Sequence, residues 1–282
     1  MLFRSNGNNN NFFGSCAGYY HTNGCDNTFI GRYAGFGRSG FAPTGDSNFF
    51  AGVGAGYSAT TARQNVAIGH SSLHRNTTGI HNVAIGASAG FGGGDGLTGC
   101  HNAFIGFGAG YCNTTGCYNV FFGRYTGRSN TIGSCNNFFG QRTGETNTTG
   151  SRNNFLGAYA GYGNCTGSNN NFLGCSAGCC NTTGSSNNFI GRGAGAYNTT
   201  GNYNIFFGSY AARYASTGSK NIAIGYLAGY SVCDGSHNIF MGCYTAHYFN
   251  TGCDNTFIGR YAGQGRGGFC VTGDSNFFAG VG

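Results

Sequence analysis

The chain is short of charge, of long aliphatic side chains and of extended apolar runs. Only 7% of its 282 residues are charged, leucine is scarce and Lys220 is the single lysine. Long amphipathic helices need those residue types, so they are excluded. The seven acidic residues stand singly at Asp26, Asp46, Asp95, Glu145, Asp234, Asp254 and Asp274. No pair of carboxylates is placed for acid–base or glycosidic chemistry. No stretch approaches the ~18 to 20 apolar residues that cross a bilayer, so membrane insertion is not expected. Residues 1–11 lack the apolar run of a secretory signal. No Cys-x-x-Cys pair faces another, the run Gly92–Gly96 follows no strand-to-helix pattern, and no serine has a positioned base. The expectation is a chain with no catalytic residues, no metal and no cofactor, and not an enzyme. The net charge of +7 comes from arginines that stand singly (Arg32, Arg63, Arg124, Arg152, Arg192, Arg213), which argues against nucleic acid as a partner.

What is present is glycine, 57 residues of it, and 16% aromatics at fixed places. Glycine recurs from Gly14 and Gly31 through to Gly259 and Gly280, in steps of 17 residues broken only by two of 21 and one of 20, and an asparagine stands four residues before each. The unit is Asn-x-apolar-apolar-Gly, then x-x-Ala-Gly, then a polar turn whose fullest form is Asn-Thr-Thr-Gly, as in Asn170–Gly184. So short a period predicts an all-β fold, a parallel β-solenoid (a β-roll or β-helix) of about sixteen 17-residue coils, running as one continuous domain over 1–282. Coils stacked at ~4.8 Å would make a rod of roughly 75 Å.

Within the coil, glycine supplies the corners, and alanine three residues later (Ala17, Ala34, Ala177) marks a tight interior slot. The asparagines Asn27, Asn65, Asn82, Asn102, Asn119, Asn136, Asn153, Asn170, Asn187, Asn204, Asn221, Asn238 and Asn255 are expected to stack in register, each amide donating to the carbonyl of the amide in the next coil. Two apolar residues precede each corner, and neighbours on a strand face opposite ways. The column Phe104, Phe121, Phe138, Phe155, Phe172, Phe189 and Phe206 is therefore either core or an outward stripe that copies of the chain cover, in a trimer or a filament. A local bend that turns both residues inward is the alternative.

Residues 22–54 and 250–282 are near-copies 228 positions apart, with the same four-residue insertion, so a thirteen-coil super-repeat is beginning again at the end of the chain. The expectation is a segment of a longer protein, or open ends that join subunits. The cores Asn65-Val-Ala-Ile-Gly69, Asn82-Val-Ala-Ile-Gly86 and Asn221-Ile-Ala-Ile-Gly225 resemble the head repeats of trimeric autotransporter adhesins. Asn27-Thr-Phe-Ile-Gly31 with Ala-Gly and Asn-Thr-Thr-Gly is similar to repeats of phage and large-virus tail fibres that precede an endosialidase-type chaperone domain. The resemblance implies a β-roll that assembles with itself outside the cell or on a virion surface. The period exceeds that of the adhesin heads, and the resemblance brings no catalytic residue.

Cys100 and Cys117 hold equivalent places in adjacent coils and are candidates for a disulfide. The reading of the cysteines as small apolar fillers stands beside it. His81 and His101 also stack, with no carboxylate beside them. The sequons at Asn76, Asn113, Asn147, Asn164, Asn181 and Asn198 put candidate glycosylation sites on one edge, unless these are only turn residues. A flat Thr-x-Thr face would suggest ice binding, but here the threonines are adjacent and the column is broken at Ala62 and Asp234. Tyrosines near the corners (Tyr33, Tyr111, Tyr125, Tyr159, Tyr162, Tyr230, Tyr261) suit carbohydrate stacking or fibre bundling. Two functions follow: a self-assembling structural fibre shaft, or an adhesin that touches cell-surface glycans.

Overall fold

Each coil opens with three extended residues, the length that the Asn-to-Gly spacing allows. The structure is a computed structural model and describes residues 6–37, 43–94, 96–265 and 271–281. The four-residue insertions of the near-copies run through residues 38–42 and 266–270 and lie outside the described residues. The chain is all-β, a parallel β-solenoid of about 15 turns, and it falls into two compact units, Met1–Gln141 and Arg142–Gly282.

The first unit contains β1 Asn11–Phe13, β2 Thr28–Ile30, β3 Phe49–Ala51, β4 Val66–Ile68, β5 Val83–Ile85, β6 Ala103–Ile105, β7 Val120–Phe122 and β8 Asn137–Phe139. Each pairs in parallel with the next, in register, so that Phe12, Phe29 and Phe50 align, and Phe104, Phe121 and Phe138 align. The second unit contains β9 Asn154–Leu156, β10 Asn171–Leu173, β11 Asn188–Ile190, β12 Ile205–Phe207, β13 Ile222–Ile224, β14 Ile239–Met241, β15 Phe249–Thr251, β16 Thr256–Ile258, β17 Val271–Thr272 and β18 Phe277–Ala279. Here β9 to β14 pair in chain order and continue through β16 to β18, while β15 and β17 form a separate parallel pair.

The middle residue of β2 to β14 and of β16 is buried. Phe104, Phe121, Phe138, Phe155, Phe172, Phe189 and Phe206 are all fully buried, so this column is core and not a face between chains. In the second unit the rings of Phe155, Phe172, Phe189 and Phe206 stack with centroids 4.7–4.8 Å apart and planes within 7°. The strand spacing itself sets that stacking distance. Where alanine replaces phenylalanine, at Ala67 and Ala84, Leu73 and Leu97 are buried instead. Beside Ala223, Val232 takes that part. Core volume is conserved although the column is not.

The asparagine column is buried too, and its hydrogen bonds go beyond the expected amide-to-amide ladder. Asn187 shows the common pattern. Its Oδ1 accepts the main-chain N–H of Asn204 in the next coil (2.9 Å), and its Nδ2 donates to the carbonyl of Gly201, 14 residues on in its own coil (2.7 Å). The side chain thus closes one coil and docks the next. Members including Asn27, Asn48, Asn65, Asn102, Asn238 and Asn255 also donate to the amide of the preceding coil, as the ladder requires.

The corners explain the glycine period. Gly174 has φ +140°, and a Cβ there would lie 2.6 Å from the carbonyl carbon of Gly191 in the coil above. Dihedral and contact both demand glycine. Other left-handed positions carry ordinary residues: the residue before each ladder asparagine (His81, His101, Tyr118, Lys220) and many residues two past the corner (Ser88, Tyr125, Tyr210) have φ between 55° and 59°. Each costs on the order of 1 kcal/mol and persists because the stacked coils over-determine the backbone.

Candidate functional site

The six sequon asparagines do not lie on an exposed edge. Asn76, Asn113, Asn147, Asn164, Asn181 and Asn198 are all fully buried. Asn147, Asn164, Asn181 and Asn198 form a side-chain ladder of their own. Asn198 Nδ2 donates to Asn181 Oδ1, Asn181 to Asn164 and Asn164 to Asn147, at 2.7–2.8 Å, and each also donates to a glycine carbonyl three residues on. The expectation of a sugar-coated edge is corrected on this ground: the folded coil offers none of these amides to a glycan. Asn76 stands alone, because Ala59 holds its place in the preceding coil and Leu97 pairs with it from the following one, and its buried Oδ1 has no hydrogen-bond partner. Where a threonine follows the asparagine, as it does at all but Asn164, it is occupied too. Thr182 Oγ1 donates to the carbonyl of Thr199, and Thr114 to that of Thr131.

Cys100 and Cys117 do come together, with sulfurs 3.1 Å apart and both thiols free. Desolvation and the neighbouring Cys117 thiol push the Cys100 thiol up to about 11. His81, His101 and Tyr118 stack at 4.7–4.9 Å. Among the described residues no group of three His, Cys, Asp or Glu side chains is placed to hold a metal ion.

The feature that linear reading missed is the placement of charge. The six residues after each corner glycine form one side of the coil. In the first unit that side carries Arg32, Arg75, Arg124 and Arg128, and in the second Arg142, Arg192, Arg213 and Arg260. The described acidic residues Asp26, Asp46, Asp234, Asp254 and Asp274 all stand on the turn side that precedes the ladder asparagine. Glu145 alone joins the arginine side, and it pairs with Arg142 at 3.5 Å. The signal was available as an offset: Arg32, Arg124, Arg192 and Arg260 each directly follow a corner glycine.

Aromatic rings share that side. In the first unit Tyr19, Phe36, Tyr57, His74, Phe91 and Tyr111, each five past a corner, make a continuous stack at 4.8–5.4 Å. Burial, together with the Arg75 charge, holds the His74 imidazole below the usual histidine pKa, so it stacks as the neutral ring. Arginines lie over tyrosines throughout: Arg124 over Tyr125 at 4.8 Å, Arg128 over Tyr125 at 5.1 Å and Arg260 over Tyr261 at 4.7 Å.

In the second unit this side opens into a cleft of about 350 Å³, lined by Cys175, Ser176, Cys179, Arg192, Gly193, Ala196, Tyr197, Tyr210 and Arg213. Gly193 and Ala196 create it, because they stand in columns that hold Tyr210 and Arg213 one coil later. Arg213 sits among Tyr210 (4.9 Å), Tyr197 (5.7 Å) and Tyr214 (5.8 Å). Desolvation works against its charge, but a hydrogen bond to Tyr197 and the surrounding tyrosines outweigh it, so its pKa is raised and it stays a cation. Cys179 lies beside Cys180, with sulfurs 3.6 Å apart, and burial followed by that neighbour pushes its thiol up to about 12. It is an uncharged wall and not a nucleophile near neutral pH. Compared with protein-family models, with curated proteins and with solved structures, the chain matches none.

Proposed function

We propose that the chain is a structural, self-assembling module of an extracellular or virion-surface fibre, held to copies of itself through the outer face of its strands. One observation carries this reading. The first and third residues of every described three-residue strand of the main ladder point outward, and none of them is charged. In β12 to β14 they are Ile205 and Phe207, Ile222 and Ile224, and Ile239 and Met241, six contiguous apolar side chains. Elsewhere Phe122 is 52% and Leu156 49% exposed. Contiguous apolar surface of this kind marks an interface. A second copy fits it best, because its ridges repeat at the same strand spacing and neither partner has a charge to desolvate. The outside location rests on the likeness of Asn65–Gly69 and its counterparts to adhesin and fibre repeats. Mass measurement in native solution tests the reading: the chain is expected to be oligomeric, and Ile222→Lys with Ile224→Lys to release monomers whose circular dichroism is unchanged. A wild-type chain that stays monomeric at its highest soluble concentration would sink it.

A second reading, an adhesin that contacts surface glycans, is favoured by the arginine and tyrosine side of the coil.

A further inference from the structure

We infer that the cleft between Arg192 and Arg213 is a binding site for an acidic sugar, a carboxylated or sulfated residue of a polysaccharide. The inference gives the glycan-contact reading a site and a ligand class, and it does not depend on self-assembly.

The cleft has the charge for an oxyanion. The guanidinium carbons of Arg192 and Arg213 lie 5.5 and 4.9 Å from the Tyr210 ring centre, and both side chains line the same cleft, so an anion entering it meets two cations. No carboxylate lines the cleft, and neither arginine has an acidic partner among the described residues. The Nε of Arg213 is buried without a hydrogen-bond acceptor. Two guanidiniums without a carboxylate partner, one of them with a buried Nε left without an acceptor, favour an incoming anion over water. The comparable cleft of the first unit, beside Arg75, lacks this property, since that guanidinium already donates to the carbonyls of Gly93 and Gly94 at 3.2 Å.

The rings decide between a sugar and a nucleic acid. Base binding needs free aromatic faces. Here Tyr214 takes one face of Tyr197 at 5.0 Å and two guanidiniums approach the Tyr210 ring, so the cleft offers no row of rings for successive bases. Its phenol hydroxyls suit the hydroxyl groups of a sugar. A cleft of about 350 Å³ is at the small end for ligand sites, enough for one sugar ring and its acidic substituent.

The test is fluorescence anisotropy with labelled chondroitin sulfate and hyaluronan oligosaccharides, neutral dextran and poly(dT). The wild type is expected to bind the two acidic glycans and not dextran, with affinity falling as salt is raised. Arg192→Gln with Arg213→Gln should weaken binding by at least about tenfold. The charge-matched pair Arg63→Gln and Arg152→Gln, on the turn side, should leave it within about twofold. Because Arg213 packs among three tyrosines, Arg192→Gln alone is measured too; Arg192 is exposed, and its loss should weaken binding without a change in circular dichroism. Preference for sulfated chondroitin over hyaluronan would assign the anion as sulfate, and equal binding would assign it as carboxylate. Equal losses in both double variants would reduce the effect to net charge and overturn the site. Binding of acidic glycan that survives Arg192→Gln with Arg213→Gln overturns the cleft and leaves glycan contact standing elsewhere. Absence of binding to either glycan ends both, and tighter binding of poly(dT) makes the occupant a nucleic acid.

Discussion

At the scale of single residues, two kinds of left-handed position behave oppositely. Gly174 cannot be replaced, because its dihedral excludes a side chain and a Cβ would meet the backbone of the coil above. Gly174→Ala is expected to cost more than about 3 kcal/mol in urea unfolding, since the obstacle is main chain and has no rotamer to yield. Ser186 has φ 59°, its side chain makes no hydrogen bond, and its N–H still donates to the Ser168 carbonyl. Ser186→Gly removes about 1 to 2 kcal/mol of strain and adds about 0.5 to 1 kcal/mol of unfolded-state entropy, so a gain of up to about 1.5 kcal/mol is expected. A loss in Ser186→Gly would show that the backbone there is not strained. This contrast also explains what the sequence made legible. The corner glycines stand out as a period because two constraints select the same residue. The left-handed His81, Tyr118 and Lys220 are invisible in sequence, because hydrogen bonds between coils hold them against their own preference.

At the scale of the coil, both asparagine columns are buried, and the Asn-Thr-Thr-Gly column, which the sequence also offers to glycans, carries a second side-chain ladder. The Asn-to-Gly spacing correctly placed one buried polar column, yet its amides close coils more than they ladder. The Asn-Thr-Thr-Gly turn reads equally as a sequon and as a turn, and only stacking shows that its asparagine faces inward while the first threonine ties to the next coil. Asn181 is the sharpest case. It donates to Asn164 and to Gly184 and accepts from Asn198, all within 2.7–2.9 Å and out of contact with water. Asn181→Ala removes three bonds and strands the Oδ1 of Asn164 and an N–H of Asn198. At about 1 to 3 kcal/mol for each buried group left unpaired, a loss of roughly 2 to 5 kcal/mol is expected in thermal or denaturant unfolding. A loss below about 1 kcal/mol would mean that water reaches the column. The same burial implies that folded material from a glycosylating host carries no N-glycan at Asn113, Asn164, Asn181 or Asn198, which intact-mass measurement reads directly.

At the scale of the whole molecule, a chain with 7% charged residues and +7 net charge sorts what charge it has. In each unit the strand face is neutral, the side after the corner glycine is cationic, and the described acidic residues other than Glu145 keep to the turn side. Sequence inspection saw single arginines and discounted them, because Arg124 and Arg192 are 68 positions apart while sharing one place in the coil. This sorting allows two ways for copies to meet, and salt separates them. If the neutral strand faces join, the like-charged arginine sides oppose association at long range. Raising ionic strength from about 0.01 to 0.15 M shortens the screening length from about 30 to 8 Å and should strengthen assembly. If instead the arginine side of one copy docks on the acidic turn side of another, the same change should weaken assembly. Light scattering across a salt series, repeated on Arg192→Gln with Arg213→Gln, is expected to show assembly growing with salt and a smaller salt effect in the variant. Assembly that dissolves as salt rises would move the interface from the strand face to the charged sides.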